Sequence, residues 1–360
     1  ELVRKGELQR RALHNKIMDL RGSIRVFCRV RPLLEEEEES ALILYPREQD
    51  NTIDIASART SDDLLRFTFD RIFDEKASQA EIFEEISQLV QSALDGYNVC
   101  VFAYGVTGSG KTFTMEGPSG GADGIRAIEG SDARGIIPRV VEQIFESYEA
   151  FQEEGWDYTF EASFLEIYND QIRDLLAEPG KDVPHQIIHE RDGRTYASDL
   201  ITEPVQDVHE VYELLGRASR QRTWAATTCN AFSSRSHSIF QLKLTGTHRK
   251  SGQRTAGLLN LVDLAGSERL KKTENVGERL KETQFINKSL TCLGDVIAAL
   301  VNKQSHIPFR NSKLTDLLST SLGNNSKTLM FINISPTMTQ LPESICSLRF
   351  ATKVNNANIQ

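Results

Sequence analysis

The sequence lacks the features that mark disulfide-rich, membrane-spanning or exported proteins. Its 360 residues include only five cysteines, and none has the Cys-x-x-Cys or Cys/His spacing of a metal site. The longest apolar runs, such as residues 99–103 and 298–301, are far shorter than the ~20 residues that span a bilayer. No signal peptide pattern opens the chain. We therefore predict buried, reduced cysteines in a cytosolic or nuclear protein without a membrane partner.

The composition is that of an ordinary soluble globular protein, with 39% hydrophobic and 26% charged residues. A chain of this length buries roughly three quarters of its unfolded surface, which excludes disorder as the main state and fits one large domain or two smaller ones. The net charge of −9 argues against nucleic acid as a partner. At face value it also argues against an acidic protein surface, although net charge does not say where the charges lie.

Residues 1–22 predict a helix with a short apolar seam. The seam residues are spaced four, three and four positions apart, as in a coiled coil: Leu13, Ile17, Leu20 and Ile24. A single amphipathic helix that packs on its own domain explains the spacing equally well, because Gly6 interrupts the pattern. Gly22 ends the helix, and the alternation in residues 24–31 predicts a strand.

Alternating helix and strand signals predict an α/β fold. A capping box at residues 78–81 precedes an amphipathic helix that Gly96 ends. The continuous apolar run 98–104 is typical of a strand buried on both faces. Further strands are predicted at 158–168, 238–247, 258–264 and 328–335. This order favours a central, mixed, mostly parallel sheet with helices on both faces.

The strongest chemical signal follows the buried strand directly. Eight consecutive residues match the phosphate-loop pattern G-x-x-x-x-G-K-[ST]: Gly105, Val106, Thr107, Gly108, Ser109, Gly110, Lys111 and Thr112. The glycines let backbone N–H groups point at phosphate oxygens, Lys111 neutralises the β and γ phosphates, and the Thr112 hydroxyl binds Mg²⁺. A Gly-rich turn with a solvated lysine is the alternative, which the preceding strand disfavours.

Two further segments suit a nucleotide site. Asp263 begins the sequence Asp-Leu-Ala-Gly-Ser-Glu at the end of a predicted strand, where a carboxylate needs a cation such as Mg²⁺. Gly266 can bring a bare backbone N–H to the γ-phosphate. Residues 230–237 place three serines around Arg235, which suits a loop that donates to phosphate oxygens. Without the phosphate loop, both segments would be interpreted as ordinary turns.

These three segments, in this order and at these separations, resemble the phosphate loop and the two switch loops of kinesin motor domains. Four more segments carry the same resemblance: Arg29-Val-Arg-Pro32, Phe164-Leu-Glu-Ile-Tyr-Asn169, Phe285-Ile-Asn-Lys-Ser-Leu290 and His306-Ile-Pro-Phe-Arg-Asn-Ser-Lys-Leu-Thr315. The resemblance implies a P-loop NTPase sheet of about eight strands between two helical layers. It implies a neck helix at residues 1–22, a motor domain at 23–360, and an ATPase that microtubules activate.

The resemblance also assigns ligands for ATP or ADP and for Mg²⁺. Three residues would line the adenine: Arg29, Pro32 and Phe113. Three residues would lie around Mg²⁺, the last of them through water: Thr112, Ser233 and Asp263. Val106 replaces a glutamine that is usual in the family's phosphate loop, Trp224 replaces a small or β-branched residue, and Ser23 replaces an asparagine. None of these changes removes a side chain that contacts phosphate.

Four residues would carry out hydrolysis if the resemblance holds. Ser234 and the backbone N–H of Gly266 would approach the γ-phosphate. Arg235 and Glu268 would form a salt bridge when the switch loops close. Glu268 would then draw a proton, through a second water, from the water that attacks in line. Positioning and charge stabilisation carry such a step, and no covalent intermediate is needed.

The basic segment, residues 269–313, has a net charge of +5 although the whole chain is acidic. Such an excess is usually a solvated face, but the resemblance makes it the region that meets acidic tubulin. Eight residues would contribute: Lys271, Lys272, Asn287, Lys288, Lys303, His306, Arg310 and Lys313. Charge of this kind, on an acidic body, predicts binding that weakens as salt rises.

The position of the helix 1–22 implies a direction of movement. It runs into the first strand and resembles the neck of C-terminal-motor kinesins, which move towards microtubule minus ends. It would be the end of an upstream coiled-coil stalk that joins two identical or different subunits. The resemblance implies a role in spindle or microtubule organisation, in the cytoplasm and on the cytoskeleton.

Two other functions compete with this interpretation. A non-hydrolysing or weakly active microtubule-binding subunit would share the fold, but would be expected to have lost some of the residues from Lys111 to Glu268 that are all present here. A GTP-dependent switch protein would share the phosphate loop but needs an Asn-Lys-x-Asp element, which the sequence lacks.

Overall fold

The computed structural model describes residues 2–22, 24–37, 40–46, 49–57, 60–118, 130–178, 180, 183–191, 193–229, 233–269, 278–323 and 326–355. The helices in these ranges are α1 (Leu2–Leu20), α2 (Gln79–Leu94), α3 (Lys111–Met115), α4 (Ile136–Glu153), α5 (Val208–Cys229), α6 (Glu278–Val301), α7 (Lys313–Leu317), α8 (Ser319–Leu322) and α9 (Leu341–Asn355). Two short 3₁₀ turns cover Ser233–Arg235 and Phe309–Asn311. No helix in these ranges is both long enough and apolar enough to cross a membrane.

The strands in the same ranges are β1 (Ile24–Val30), β2 (Ile43–Leu44), β3 (Thr52–Ser57), β4 (Thr60–Thr68), β5 (Arg71–Phe73), β6 (Asn98–Tyr104), β7 (Trp156–Tyr168), β8 (Gln171–Asp174), β9 (Ile187–His189), β10 (Thr195–Ala197), β11 (Glu203–Val205), β12 (His237–His248), β13 (Arg254–Asp263) and β14 (Ser326–Ile334). Nine of them form the central sheet, in the order β11-β7-β12-β13-β6-β14-β1-β5, with β8 paired to β7. Strands β2, β3 and β4 form a small separate sheet, and β9 pairs with β10.

The central sheet is mixed, as predicted. Strands β13, β6, β14, β1 and β5 pair in parallel, since helical connections such as α2 between β5 and β6 return the chain to the same edge. Strands β11, β7, β8 and β12 pair antiparallel, and β12 also pairs antiparallel with β13 across a short turn. The carboxyl ends of β6 and β13 therefore lie side by side at one edge of the sheet.

Helices cover both faces of this sheet. One core includes side chains of α1, α2, α4 and α5, and the other includes side chains of α6, α7, α8 and α9. Along β6, Val99, Val101 and Ala103 belong to the first core, whereas Cys100, Phe102 and Tyr104 belong to the second. The continuous apolar run at 98–104 therefore has the predicted cause, burial on both faces.

Local sequence signals located several elements well. The capping box at α2 is formed, because Ser78 Oγ accepts from the Glu81 N–H and a Glu81 carboxylate oxygen accepts from the Ser78 N–H. Strand β13 begins at Arg254, four residues before the prediction. Residues 254–257 continue the ladder with β12, but much of their surface is exposed, so they carry little apolar signal.

Helix α1 packs on the core through a face other than its apolar seam. Met18 is 1% exposed, whereas Leu13, Ile17 and Leu20 are 53%, 50% and 80% exposed. The helix therefore packs on its own domain as one interpretation expected, but not through the three helical seam residues; the fourth, Ile24, lies in β1 and is 5% exposed. The seam leaves an apolar stripe on the outer side of the helix.

Polar contacts tie the inner face of α1 to the core. Arg10 donates to the buried carboxylate of Asp95 at 2.6 Å, and the Arg11 guanidinium lies 4.4 Å from the centre of the Trp156 ring. His14 Nε2 lies 3.0 Å from Ser92 Oγ of α2. The helix is therefore held at several points along its length.

Candidate active site

The phosphate loop lies at the carboxyl end of β6, where the backbone passes close to β14. A Cβ atom on Gly105 would come within 2.3 Å of the Asn333 carbonyl oxygen, so this position requires glycine. The Lys111 ammonium is buried and donates to the carbonyls of Gly105 and Val106, at 3.0 and 2.9 Å. Burial lowers the Lys111 pKa, while the carboxylates of Asp263 and Glu268 oppose that shift. A bound polyphosphate would give the Lys111 ammonium a negatively charged hydrogen-bond partner in place of these neutral carbonyls.

The residues predicted to hold Mg²⁺ meet beside this lysine. Thr112 Oγ1 donates to Asp263 Oδ2 at 2.6 Å. The other carboxylate oxygen of Asp263 is buried and has no hydrogen-bond partner among the described residues, and the same is true of Ser109 Oγ. Hard oxygen donors with spare bonding capacity fit Mg²⁺, which usually binds through few protein ligands, substrate phosphates and water. The side chain of Ser233 lies outside the described residues.

The segment after β13 crosses directly over the phosphate loop. Gly266 N donates to Ser234 O at 2.8 Å, and Ser267 N donates to Gly105 O at 3.0 Å. The Glu268 carboxylate accepts from the backbone N–H of Thr107 at 2.9 Å and from its hydroxyl at 2.5 Å. Both switch segments and the phosphate loop are thus joined by hydrogen bonds at one place.

Arg235 and Glu268 have different partners in this structure. Arg235 donates to Glu282 of α6 at 3.0 Å, while Glu268 is held by Thr107. The ion pair predicted between Arg235 and Glu268 is therefore not formed here, and its formation on closure of the loops stays a prediction. The sequence did not predict Glu282 as a partner of Arg235, because a single glutamate in a charged helix carries no pattern that indicates its partner.

The structure groups two of the residues predicted at the adenine. The Arg29 guanidinium lies 5.3 Å from the centre of the Phe113 ring and donates to Gln79 and Thr114, at 2.7 and 2.9 Å. Burial lowers the pKa of Arg29 to about 10. Phe113 is 40% exposed and Pro32 is exposed, so each offers a surface on which a base can lie. Contact of these residues with adenine stays a prediction.

Comparison with known proteins identifies the arrangement. A model of the kinesin motor domain matches residues 29–357. The chain belongs to the kinesin motor family. It is 50% identical to kinesin-like protein KIN-14N of Oryza sativa subsp. japonica, over 98% of the chain and 46% of that protein. It is also 50% identical to carboxy-terminal kinesin 2 of Xenopus laevis, over 98% of the chain and 56% of that protein.

A solved kinesin structure shares the whole fold. The C-terminal motor and motor homology domain of Kar3Vik1, fused to a synthetic heterodimeric coiled coil, is 44% identical and aligns with a TM-score of 0.87. That alignment covers 99% of this chain and 91% of the other. The chain spans about half the length of the two curated kinesins above.

Some residues that shape this kinesin site were missed by the sequence analysis. Arg31 Nε donates to Gly108 O at 2.7 Å, and the same guanidinium donates to Ser335 Oγ at 3.1 Å. Because Arg31 directly follows β1, these bonds hold the phosphate loop to the end of that strand. Gln340 donates to Thr107 O at 3.2 Å from the other side. Arg31 lies inside the quoted motif 29–32, whereas Gln340 carries no local signal.

Six of the eight residues predicted at the microtubule surface of this kinesin are described. They follow the chain from α6 through a loop and the 3₁₀ turn Phe309–Asn311 to α7, and these elements pack against one another. The six residues are Asn287, Lys288, Lys303, His306, Arg310 and Lys313. Lys288, Lys303, His306 and Arg310 are exposed, and Asn287 and Lys313 are partly exposed. Lys271 and Lys272 lie outside the described residues, as do Ser23 and the side chain of Trp224.

Proposed function

We propose that this chain is an ATP-hydrolysing motor domain that moves along microtubules towards their minus ends. One observation carries the proposal: hydrogen bonds join the phosphate loop and both switch segments at the carboxyl ends of β6 and β13. Lys111, Thr112 and Asp263 supply the phosphate and metal side. Gly266 and Glu268 supply the side that faces the attacking water.

Binding of ATP exchanges contacts within the loop for contacts with phosphate. The Lys111 ammonium leaves two carbonyls that it now contacts and takes the β and γ phosphates. When bound by Thr112, Ser233 and Asp263, Mg²⁺ neutralises phosphate charge. Arg29, Pro32 and Phe113 form the adenine side of the site.

Hydrolysis then requires three contacts in this structure to change. Gly266 N–H must leave Ser234 O to donate to the γ-phosphate. Arg235 must leave Glu282, and Glu268 must leave Thr107, before these two residues can pair. Closure of this kind positions water in line and excludes bulk solvent, with Glu268 as the base.

The microtubule surface is proposed for the basic segment, including Lys271 and Lys272. Its described surface residues lie on α6, on the loop and 3₁₀ turn that follow it, and on α7, and Glu282 of α6 is the partner of Arg235. A change at the γ-phosphate therefore reaches the tubulin-facing helix through one ion pair. Charge complementarity with acidic tubulin would set the orientation and the salt dependence of binding.

We propose residues 1–22 as the neck and the end of a coiled-coil stalk that pairs two motor subunits. The exposed stripe of Leu13, Ile17 and Leu20 supports pairing, since its spacing suits a second helix and its residues are not used by the core. One of the two relatives above is named a carboxy-terminal kinesin, the class whose neck the helix 1–22 resembles, and this agreement supports minus-end movement. We propose a place on the cytoplasmic cytoskeleton and the spindle.

A non-hydrolysing microtubule-binding subunit is the competing function. The complete set from Lys111 to Glu268 disfavours it, because such a subunit has no need to keep a base and a metal site together.

Steady-state ATPase measurements with and without microtubules test the first half of the proposal, and a sharp rise with microtubules is expected. Gliding of polarity-marked microtubules over a dimeric form, joined through residues 1–22, tests the second half. Plus-end-directed movement would refute the direction, and binding without any stimulated turnover would favour the non-hydrolysing alternative.

A further inference from the structure

His237 is a buried histidine that joins three parts of the motor. It is the first residue of β12, directly after the 3₁₀ turn of the first switch segment, and is 2% exposed. Its Nδ1 lies 3.1 Å from the backbone nitrogen of Ala265, in the second switch segment. Its Nε2 lies 2.7 Å from Ser289 Oγ, on the helix α6.

The direction of each hydrogen bond fixes the state of the ring. A backbone N–H can only donate, so Nδ1 accepts from Ala265 and carries no proton. The proton of the neutral ring therefore lies on Nε2 and is donated to Ser289 Oγ. The Ser289 hydroxyl in turn donates to Ile286 O at 2.8 Å. Every donor and acceptor in this chain of bonds has one role, so the arrangement is rigid and directional.

We propose that His237 is a positioning residue that couples the second switch segment to the tubulin-facing helix α6, through the hydrogen bonds from Ala265 and to Ser289. This inference rests on the proposed function, since it concerns how microtubules stimulate turnover. Lys288 and Asn287, two of the residues proposed to meet tubulin, directly precede Ser289 on α6.

The coupling arises because Ala265 directly precedes Gly266 in the chain. Gly266 N now donates to Ser234 O and must turn to the γ-phosphate before hydrolysis. Ala265 is the adjacent residue, and a shift of the backbone segment that carries both residues towards the γ-phosphate displaces the Ala265 N–H as well. The backbone of His237 is fixed, because His237 pairs with Ile167 of β7 and the next residue, Ser238, pairs with both β7 and β13. Displacement of Ala265 therefore acts on the ring and, through Nε2, on Ser289.

The same path operates in the other direction. When tubulin shifts α6, Ser289 moves relative to the fixed strand β12, and the ring changes the position in which Ala265 is held. A histidine suits this task because its ring is rigid, and one ring nitrogen accepts a hydrogen bond while the other donates one. The route is separate from the ion pair of Arg235 and Glu282, which joins α6 to the first switch segment.

Substitution of Ser289 by alanine tests the proposal with little change in volume. Ser289→Ala breaks the link to α6 and leaves the bond from Ala265 intact. We expect a loss of microtubule-stimulated kcat of about fivefold or more, the effect of one buried hydrogen bond on a coupled equilibrium. Basal turnover without microtubules and the microtubule Kd from co-sedimentation are expected to stay within about twofold of the parent chain.

Ser238→Ala provides a matched control. Ser238 is also 2% exposed, directly follows His237, and its hydroxyl has no hydrogen-bond partner among the described residues. The control is expected to keep full stimulation. A second variant, His237→Asn, retains an acceptor near the place of Nδ1 but is too short to reach Ser289, and is expected to lose stimulation like Ser289→Ala. The double variant is expected to be no worse than either single one.

Three results would overturn the coupling. Full stimulation in Ser289→Ala is the first, and equal losses in Ser289→Ala and Ser238→Ala are the second, since they would indicate packing alone. The third is a loss in Ser289→Ala that basal turnover shares in full. Because Ser289→Ala gives the decisive measurement, failure of His237→Asn to fold would not remove the test. Absence of stimulation in the parent chain would instead refute the proposed function itself.

Discussion

The Glu268 carboxylate accepts two hydrogen bonds from Thr107, one from its backbone N–H at 2.9 Å and one from its hydroxyl at 2.5 Å. The proposed catalytic base is therefore held on the phosphate loop and away from Arg235. Thr107 and Glu268 are 161 positions apart in the sequence, so only the fold brings them together. Catalysis on the proposed path begins with release of this contact.

Removal of the Thr107 hydroxyl is expected to release Glu268 more readily. Thr107→Val keeps the shape of the side chain and the backbone bond but removes one of the two contacts. A partly exposed hydrogen bond to a charged group contributes about 1 kcal/mol, so basal ATP turnover should rise about fivefold. Steady-state turnover without microtubules measures the change. Thr107→Ser keeps the hydroxyl and should match the parent chain, and equal rates for all three proteins would contradict the prediction.

Loss of the carboxylate at Glu268 should nearly abolish stimulated turnover. Glu268→Ala removes the proposed base, whose contribution is typically about 10²- to 10⁴-fold, while Lys111 and Thr112 continue to bind nucleotide. Microtubule-stimulated ATPase and the Kd of a fluorescent nucleotide together check this. Glu268→Gln keeps an oxygen that can accept from Thr107 but does not accept a proton, and should be equally slow. Unchanged turnover in Glu268→Ala would refute the mechanism.

Much of the fold could be predicted because its signals are local. The capping box fixed the start of α2, and the two-sided burial of β6 left a continuous apolar run. The phosphate loop likewise carries its chemistry in consecutive residues. Partners such as Glu282 for Arg235 depend on how distant segments approach, and no spacing in the sequence records that. His237 lay within a recognised motif, but its role is visible only once Ala265 and Ser289 are placed on either side of it.

The free energy of unfolding should fall at mildly acidic pH because of His237. Burial, with a smaller contribution from the Lys111 charge, lowers its pKa to about 3, below the ordinary value of 6.5. The unfolded chain therefore binds a proton that the folded chain does not, so stability is lost as pH falls below about 6.5. Between about pH 7 and pH 5 the loss from this residue is about 2 kcal/mol. Denaturant unfolding of the parent chain and of His237→Asn measures it as the difference between their two losses, and equal losses would contradict the assignment.

Neutralisation of Asp95 should loosen α1 from the core. Its buried carboxylate accepts from Arg10 at 2.6 Å and lies 3.6 Å from Arg11 Nε, so Asp95→Asn leaves two guanidinium groups without their counter-charge. Breaking a buried pair on one side costs roughly 3 kcal/mol, and amide hydrogen exchange in α1 should accelerate at least about tenfold. Gln88→Ala removes only the exposed contact to Arg21 and should change exchange little. Similar exchange in the two variants would show that Asp95 does not hold the helix.

Single alanine substitutions of exposed cations in the basic segment should weaken microtubule binding, and the effect should be largest at low salt. Lys303→Ala and Arg310→Ala each remove an exposed cation, and an exposed charge contact contributes about 0.5–1 kcal/mol, so the microtubule Kd should rise about two- to fivefold at low salt. The differences should shrink as salt rises, because the charges are screened over about 8 Å at physiological ionic strength. Lys243→Ala is the control, since Lys243 is an exposed cation outside the basic segment that pairs with Glu161 at 2.7 Å. Co-sedimentation over a salt series measures all three. Because the chain as a whole is acidic, an equal effect of Lys243→Ala would mean that net charge, and not the surface of the basic segment, governs the encounter with tubulin.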